Sequence, residues 1–162
     1  MHFNAYEILE MAEQIERNGT AFYRHAAECV DHPEGKKLLL DLADWEIGHE
    51  KTFAKMKQAL SQKESDDVVF DPEGEASLYI KAYSEGHVFN LDQDPASALK
   101  GKTNLRDILL EAINREKDAI VFFTGFLDLV PPSLGKERVE AIIKEEIGHI
   151  GQLSAQLSAL SD

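Results

Sequence analysis

The tetrapeptide Glu-Ile-Gly-His occurs twice in this chain, at residues 46–49 and 146–149, one hundred residues apart. The same offset matches Glu16 with Glu116. A Glu and a His at i and i+3 lie about 60° apart on a helix, so one turn can offer a metal ion a carboxylate oxygen and an imidazole nitrogen. Two such turns, with one Glu from each of two other helices, provide the ligands of di-iron and di-manganese carboxylate bundles. The pattern predicts a two-metal site with six ligands: Glu16, Glu46, His49, Glu116, Glu146 and His149.

The surroundings of the two motifs favour metal binding over a coincidence of surface residues. A single Glu-x-x-His is a weak signal, but here each copy follows another matched Glu by 30 residues. Apolar residues flank both copies, and metal coordination is one way to keep a buried carboxylate ionised. Gly48 and Gly148 each cost a helix about 1 kcal/mol relative to Ala, which suggests close helix packing beside the site. The apolar neighbours that we expect in the core are Trp45, Ile47, Phe53, Ile142, Ile143, Ile147 and Ile150.

The internal repeat extends well beyond these ligands. Aligning residues 4–60 with 104–160 without a gap gives 15 identities, where ordinary composition would give roughly three or four by chance. We therefore interpret residues 1–162 as a single domain made of two related helical hairpins, at about 4–60 and 104–160. Residues from about 61 to 103 form the crossover between them. Packing the hairpins around a pseudo-two-fold axis would bring the matching carboxylates together.

Composition and length indicate one all-α domain. The 162 residues are enough to bury a substantial core, and neither half shows the period-two alternation that is typical of strands. The net charge of −13 argues against nucleic acid and anionic membranes as partners. One cysteine, Cys29, excludes an internal disulfide and a four-cysteine metal centre within this sequence. No segment has the pattern of a signal peptide or a bilayer span, so we expect a cytoplasmic protein.

Capping patterns and apolar spacing locate the helices. Asn4 with Glu7, and Asn104 with Asp107, each place a capping side chain before an apolar run, with an acid three residues later. Helices are predicted from about residue 5 to 30, 33 to 62 and 135 to 160, and a short one at about 74–85 in the crossover. One long crossover between the second and third helices is typical of ferritin-like four-helix bundles, and we predict that fold.

On these residues the chain resembles the rubrerythrin-related, ferritin-like di-iron proteins. Glu16 with Tyr23 seven residues on, Glu116 with Phe123 seven residues on, and the two Glu-x-x-His motifs match the four ligand helices of that family in order. The resemblance implies that the Glu of each motif bridges two metal ions and that the other two glutamates are terminal ligands. It also implies that each motif histidine binds one ion. Tyr23 lies on the Glu16 face of its helix, where it either donates a hydrogen bond to a site carboxylate or packs in the core.

Two departures from the family pattern bear on function. Full-length rubrerythrins carry a rubredoxin-like iron centre held by four cysteines, whereas this sequence has Cys29 alone, so electrons would come from another protein. The family's peroxidases have an additional Glu one turn beyond the ligand of the third helix. This chain has Ala119 there, matched by Gly19 in the first half. Small residues at both positions either leave room for a small ligand or allow close helix contact.

The resemblance implies a di-iron oxidoreductase that reduces hydrogen peroxide or dioxygen with an external electron-donor protein. Carboxylate and imidazole ligands suit two iron ions, with manganese or another divalent metal as the alternative. Three other functions stay open: a ferroxidase or iron-handling protein, a di-manganese catalase, and a metal-stabilised interaction module without redox chemistry. We expect a homodimer.

Overall fold

The structure is a computed structural model, and it describes residues 4–60, 74–84, 94–102, 104–127, 129–130, 133 and 135–160. Its α-helices are α1 (Ala5–Glu28), α2 (Pro33–Gln58), α3 (Glu75–Ser84), α4 (Leu105–Leu127) and α5 (Lys136–Ala159). A short 3-10 helix, Pro95–Leu99, precedes α4. Each predicted helix is present, and the observed ends differ from the predicted ones by up to four residues. The predicted ends at residues 62 and 85 lie outside the described residues. The all-α prediction is confirmed.

The predicted helix starts are confirmed by matching hydrogen bonds in the two halves. At α1, the Asn4 side-chain oxygen accepts a hydrogen bond from the Glu7 amide at 2.8 Å, and Glu7 accepts one from the Asn4 amide at 3.0 Å. At α4, the Asn104 oxygen accepts from the Asp107 amide at 2.8 Å. These bonds satisfy N–H groups that the first turn of a helix leaves without a partner. At α2, His32 is the capping residue and Pro33 occupies the first turn.

Two apolar clusters lie on either side of the middle of the bundle. Along α1, the buried apolar residues between 8 and 15 belong to cluster 1, and those between 22 and 27 belong to cluster 2. The order is reversed along α2, where residues 39–43 belong to cluster 2 and residues 53–56 to cluster 1. This reversal shows that α1 and α2 run antiparallel as a hairpin. The central turn of each helix, between the two clusters, is where the predicted metal ligands occur.

The crossover helix α3 packs against α4. Tyr83 is buried and lies against Phe122 with their ring centroids 5.0 Å apart. The ring of Tyr79 covers Gly125, where a built Cβ would lie only 2.0 Å from Tyr79 Cε1. Tyr79 also donates a hydrogen bond to the backbone carbonyl of Val121. The absence of a side chain at Gly125 therefore allows the crossover to sit directly on α4.

Two expectations about packing beside the motifs are wrong. Trp45 is 50% exposed and Ile147 is 55% exposed, because each neighbours a ligand in sequence and is therefore turned about 100° away from the interior. A Cβ built on Gly48 or Gly148 meets no atom within 4 Å, so neither glycine is required for close helix packing. In the part of the chain that the structure describes, no helix is long and apolar enough to cross a membrane.

The contacts of the glycines give a paired prediction for stability. Gly125→Ala should destabilise the protein by about 1–3 kcal/mol, because the Tyr79 ring must move to admit the methyl group. Gly148→Ala should instead stabilise it by about 0.5–1 kcal/mol, because the added Cβ meets open space in a helix. Urea unfolding followed by circular dichroism measures both changes. Equal effects of the two substitutions would contradict the packing of Tyr79 on Gly125.

Candidate metal centre

The structure brings all six predicted ligands together in the middle of the bundle. Each of them is at most 5% exposed. They come from α1, α2, α4 and α5, and they occupy the central turn of each helix between the two apolar clusters. The set is Glu16, Glu46, His49, Glu116, Glu146 and His149.

The ligand atoms form two overlapping groups of four. In one group, atoms of Glu16, Glu46, His49 and Glu146 all lie within 4.8 Å of one another. The other group consists of Glu46, Glu116, Glu146 and His149, within the same limit. Both groups contain the two motif glutamates, so these are the carboxylates placed to contact two neighbouring ions.

Unsatisfied polar atoms support a cation at this position. Among the described residues, neither carboxylate oxygen of Glu16 has a hydrogen-bond partner. A buried acceptor without a partner costs about 1–3 kcal/mol, and more when it is charged. Oxygen and imidazole nitrogen donors at these positions fit hard or borderline divalent metal ions.

Both site histidines present Nδ1 to the carboxylates. Nδ1 of His49 lies 3.0 Å from Oε1 of Glu146, and Nδ1 of His149 lies 2.7 Å from Oε2 of the same residue. The two rings stack with centroids 5.8 Å apart and an angle of 22° between their planes. This arrangement makes Nδ1 the nitrogen available to a metal ion on both rings and leaves both Nε2 atoms for other partners.

Burial and mutual repulsion change the pKa values of the carboxylates in the metal-free protein. Burial, with added repulsion from neighbouring carboxylates, holds the pKa of Glu16 and of Glu46 well above the ordinary glutamate value. Burial raises the pKa of Glu116 to about 7. Burial also acts to raise the pKa of Glu146, but hydrogen bonds from both site histidines outweigh it and lower that pKa to about 2.

The same contacts hold protons on the site histidines. Burial lowers their pKa, but the hydrogen bonds and charges of the facing carboxylates outweigh it. The pKa of His49 rises to about 9 and that of His149 to about 10. In the metal-free protein at neutral pH, protons therefore occupy the positions that metal ions would take, and they compensate part of the buried negative charge.

A small cavity lies beside the carboxylates. It has a volume of about 20 Å³ and is lined in part by Gly19 and Ala119, one from each half of the repeat. A Cβ built on Gly19 would lie 2.8 Å from Oε2 of Glu46. Of the two explanations for these small residues, close contact therefore applies at Gly19, since its missing side chain makes room for the Glu46 carboxylate. Ala119 borders the open space of the cavity.

Tyr23 and Arg115 complete this side of the site. Tyr23 is buried and donates a hydrogen bond to Oε1 of Glu116, which confirms the hydrogen-bond interpretation but places its partner on the other hairpin. Arg115 lines the same cavity, and its guanidinium stacks over the ring of Phe22 at 4.7 Å. Burial lowers the pKa of Arg115. The sequence pattern did not point to Arg115, whose counterpart in the first half is Ile15.

Two contacts on the histidine side were not predicted from the sequence. Oε2 of Glu145 lies 2.7 Å from Nε2 of His49. The ring of Trp45 lies edge-on to His149, with centroids 5.9 Å apart. A signal for both was present, because residues 45 and 145 occupy matched positions immediately before identical tetrapeptides and yet differ completely in chemistry.

Comparison with known proteins agrees with this geometry. A family model described as rubrerythrin matches residues 7–157. A crystal structure of a candidate ferritin-like diiron-carboxylate protein from Thermotoga maritima aligns with a TM-score of 0.75 and 27% sequence identity, covering 98% of this chain and 97% of that one. No curated protein matches the chain. The match confirms the predicted ferritin-like fold and the resemblance that the motifs indicated.

The close approach at Gly19 gives a prediction for metal binding. Gly19→Ala should weaken the binding of both ions, because the added methyl group displaces the carboxylate of Glu46, which both ligand groups share. Gly48→Ala is the matched control, since it makes the same change within the first motif where the structure has open space. Metal titration by calorimetry measures both variants. Normal binding by Gly19→Ala would contradict the position of the Glu46 carboxylate.

The pKa values give a prediction for pH dependence. Because His49 and His149 have raised pKa values of about 9 and 10, both carry protons on Nδ1 below those values, and metal binding must release them. Binding at pH 7 should therefore release about two protons or more per chain, and the apparent affinity should fall as the pH drops from 8 to 6. Calorimetry of Mn(II) binding in two buffers with different protonation heats counts the protons. Binding without proton release would contradict this description of the site.

Proposed function

The chain belongs to the rubrerythrin family, and from this we propose that it is a di-iron oxidoreductase that reduces hydrogen peroxide or dioxygen with electrons from a separate donor protein. The observation that supports the proposal most strongly is the pair of ligand groups sharing Glu46 and Glu146. Two ions held by shared carboxylates act on one small substrate together. When bound, the two iron ions would supply the two electrons that convert hydrogen peroxide and two protons into two molecules of water.

The cavity beside the carboxylates supports a small oxidant as the substrate. A cavity needs about 10–15 Å³ to hold one water molecule, and this one measures about 20 Å³. Peroxide and dioxygen are close to that size, whereas an organic substrate would require the surrounding side chains to move. Its position against Glu46 and Glu116 would place the oxidant next to the ions.

The residues around the cavity would orient the ligands and add positive charge beside them. Tyr23 fixes the carboxylate of Glu116 through its hydrogen bond, and burial, together with repulsion from nearby carboxylates, raises the pKa of Tyr23 so that it keeps its proton at neutral pH. Arg115 places a positive charge beside the same cavity. The buried apolar rings of clusters 1 and 2 exclude bulk water on either side of the site.

A groove on the other side of the site favours iron handling as a second candidate function. It has a volume of about 710 Å³, and His49, Glu145 and Asp44 line part of it. A metal ion entering from solvent would meet these carboxylates before reaching the ligands. In that case Fe(II) would be the substrate itself and would leave after oxidation.

Anaerobic loading with Fe(II), followed by separate additions of peroxide and dioxygen, tests the proposal. The expected result is two ions per chain and faster oxidation by peroxide than by dioxygen, followed by repeated turnover when a reductant is supplied. Uptake of one ion or none would contradict the two-metal site. Faster oxidation by dioxygen, with release of the oxidised iron, would favour the ferroxidase function instead.

The cavity gives a more specific prediction. Ala119→Val adds two methyl groups to the wall of a cavity of about 20 Å³, so it should slow peroxide oxidation while leaving two ions bound. Val121→Ile, at a 49% exposed position on the same helix, serves as the control for a larger aliphatic residue. Stopped-flow absorption of the iron-loaded variants measures the rates. An unchanged rate in Ala119→Val would show that peroxide reaches the ions by another route.

A further inference from the structure

The two halves of the metal centre have the same types of ligand. They differ in the residue, itself not a ligand, that contacts each histidine. Residues 45 and 145 precede identical Glu-Ile-Gly-His motifs, and they are Trp and Glu. Each of them contacts the histidine of the opposite half. Glu145 contacts His49, and Trp45 contacts His149.

Glu145 provides a hydrogen-bond acceptor for the ring of His49. Its Oε2 atom lies 2.7 Å from Nε2, within the range of a charge-assisted hydrogen bond. Since Nδ1 of the same ring faces Glu16 and Glu146, an ion would bind at Nδ1, and the ring proton would remain on Nε2. A carboxylate that accepts this proton fixes the tautomer and orientation of the ring and makes its other nitrogen a stronger metal donor.

Trp45 provides no equivalent acceptor for His149. Its ring meets the histidine at an angle of 64° with centroids 5.9 Å apart, in an edge-on contact. The only polar group of an indole is an N–H donor, so the side chain has no lone pair with which to accept the ring proton of a histidine. The ring of Trp45 therefore orients His149 by packing alone.

We propose that Glu145 is a positioning residue that makes the two metal positions unequal, so that the position with Glu16 and His49 binds its ion more tightly than the position with Glu116 and His149. This inference rests on the two-metal site of the proposed function. It concerns metal affinity and does not depend on which oxidant the protein uses. Partners that hold a ligating histidine in this way contribute about 10- to 100-fold to metal affinity.

Anaerobic titration with Co(II), followed by calorimetry and visible absorption, tests this inference without redox chemistry. Repulsion between two neighbouring ions also makes the second ion bind more weakly than the first. The informative result is therefore which of the two binding affinities a substitution changes. Glu145→Ala should weaken the tighter step by about 10-fold or more and leave the weaker step unchanged. Glu145→Gln keeps a neutral acceptor and should have a smaller effect in the same direction.

Trp45→Glu is the complementary substitution, because it places a carboxylate where the second half has one. It should tighten the weaker step by about 10-fold. Trp45→Ala is its matched control, since it removes the ring without adding an acceptor, and it should not tighten either step. Glu140→Gln, at an exposed position on the same helix as Glu145, controls for the loss of a negative charge on α5.

The outcomes separate this inference from the proposed function. Two ions bound with both steps unaffected by Glu145→Ala would overturn the inference and leave the two-metal function intact. An equal weakening by Glu140→Gln would also overturn it, because general charge would then explain the effect. Uptake of fewer than two ions by the unaltered protein would contradict the proposed function, and this inference with it.

Discussion

Four carboxylates buried in contact with one another are the constraint around which this bundle is organised. Like charges about 4 Å apart repel by roughly 4 kcal/mol at the effective dielectric of a protein, and burial adds the cost of removing each from water. Positive charge must offset these costs. Protons on two imidazoles and on some of the carboxylates do so in the metal-free protein, and two divalent cations would balance the four negative charges fully.

The same requirement explains how the two hairpins are joined. Each ligand group of four takes three residues from one hairpin and one from the other, because Glu46 and Glu146 belong to both groups. Ions at these positions would therefore tie α1 and α2 to α4 and α5. The apolar clusters on either side also draw on both hairpins, so the polar centre is enclosed at both ends by shared packing.

Local and periodic features of the sequence predicted much of this structure. The helix caps at Asn4 and Asn104 depend on residues three positions apart, and the ligands depend on spacing within one turn and on the repeat, so both could be derived from the chain alone. The packing beside the two motifs could not be derived from the sequence. Periodicity places Trp45 next to a ligand, but it does not show that this side chain is half exposed in the described part of the chain. The open space at Gly48 depends on distances between helices, which the sequence does not contain. In the sequence, Glu145 cannot be distinguished from an ordinary surface acid. Only the packing of the two hairpins shows that it lies beside the opposite half.

The halves differ in several residues that surround the matched ligands. The six ligands are matched pairs, yet Ile15 pairs with Arg115, Gly19 with Ala119, Tyr23 with Phe123 and Trp45 with Glu145. Two bound ions would constrain the ligands, because a change in any one would leave a buried charge without its partner. Residues that contact the ligands without binding metal are free of that requirement. Several of them line a small cavity on the carboxylate side, whereas Trp45 and Glu145 line an open groove on the histidine side, so the unmatched neighbours give the two sides of a duplicated centre different access and different chemistry.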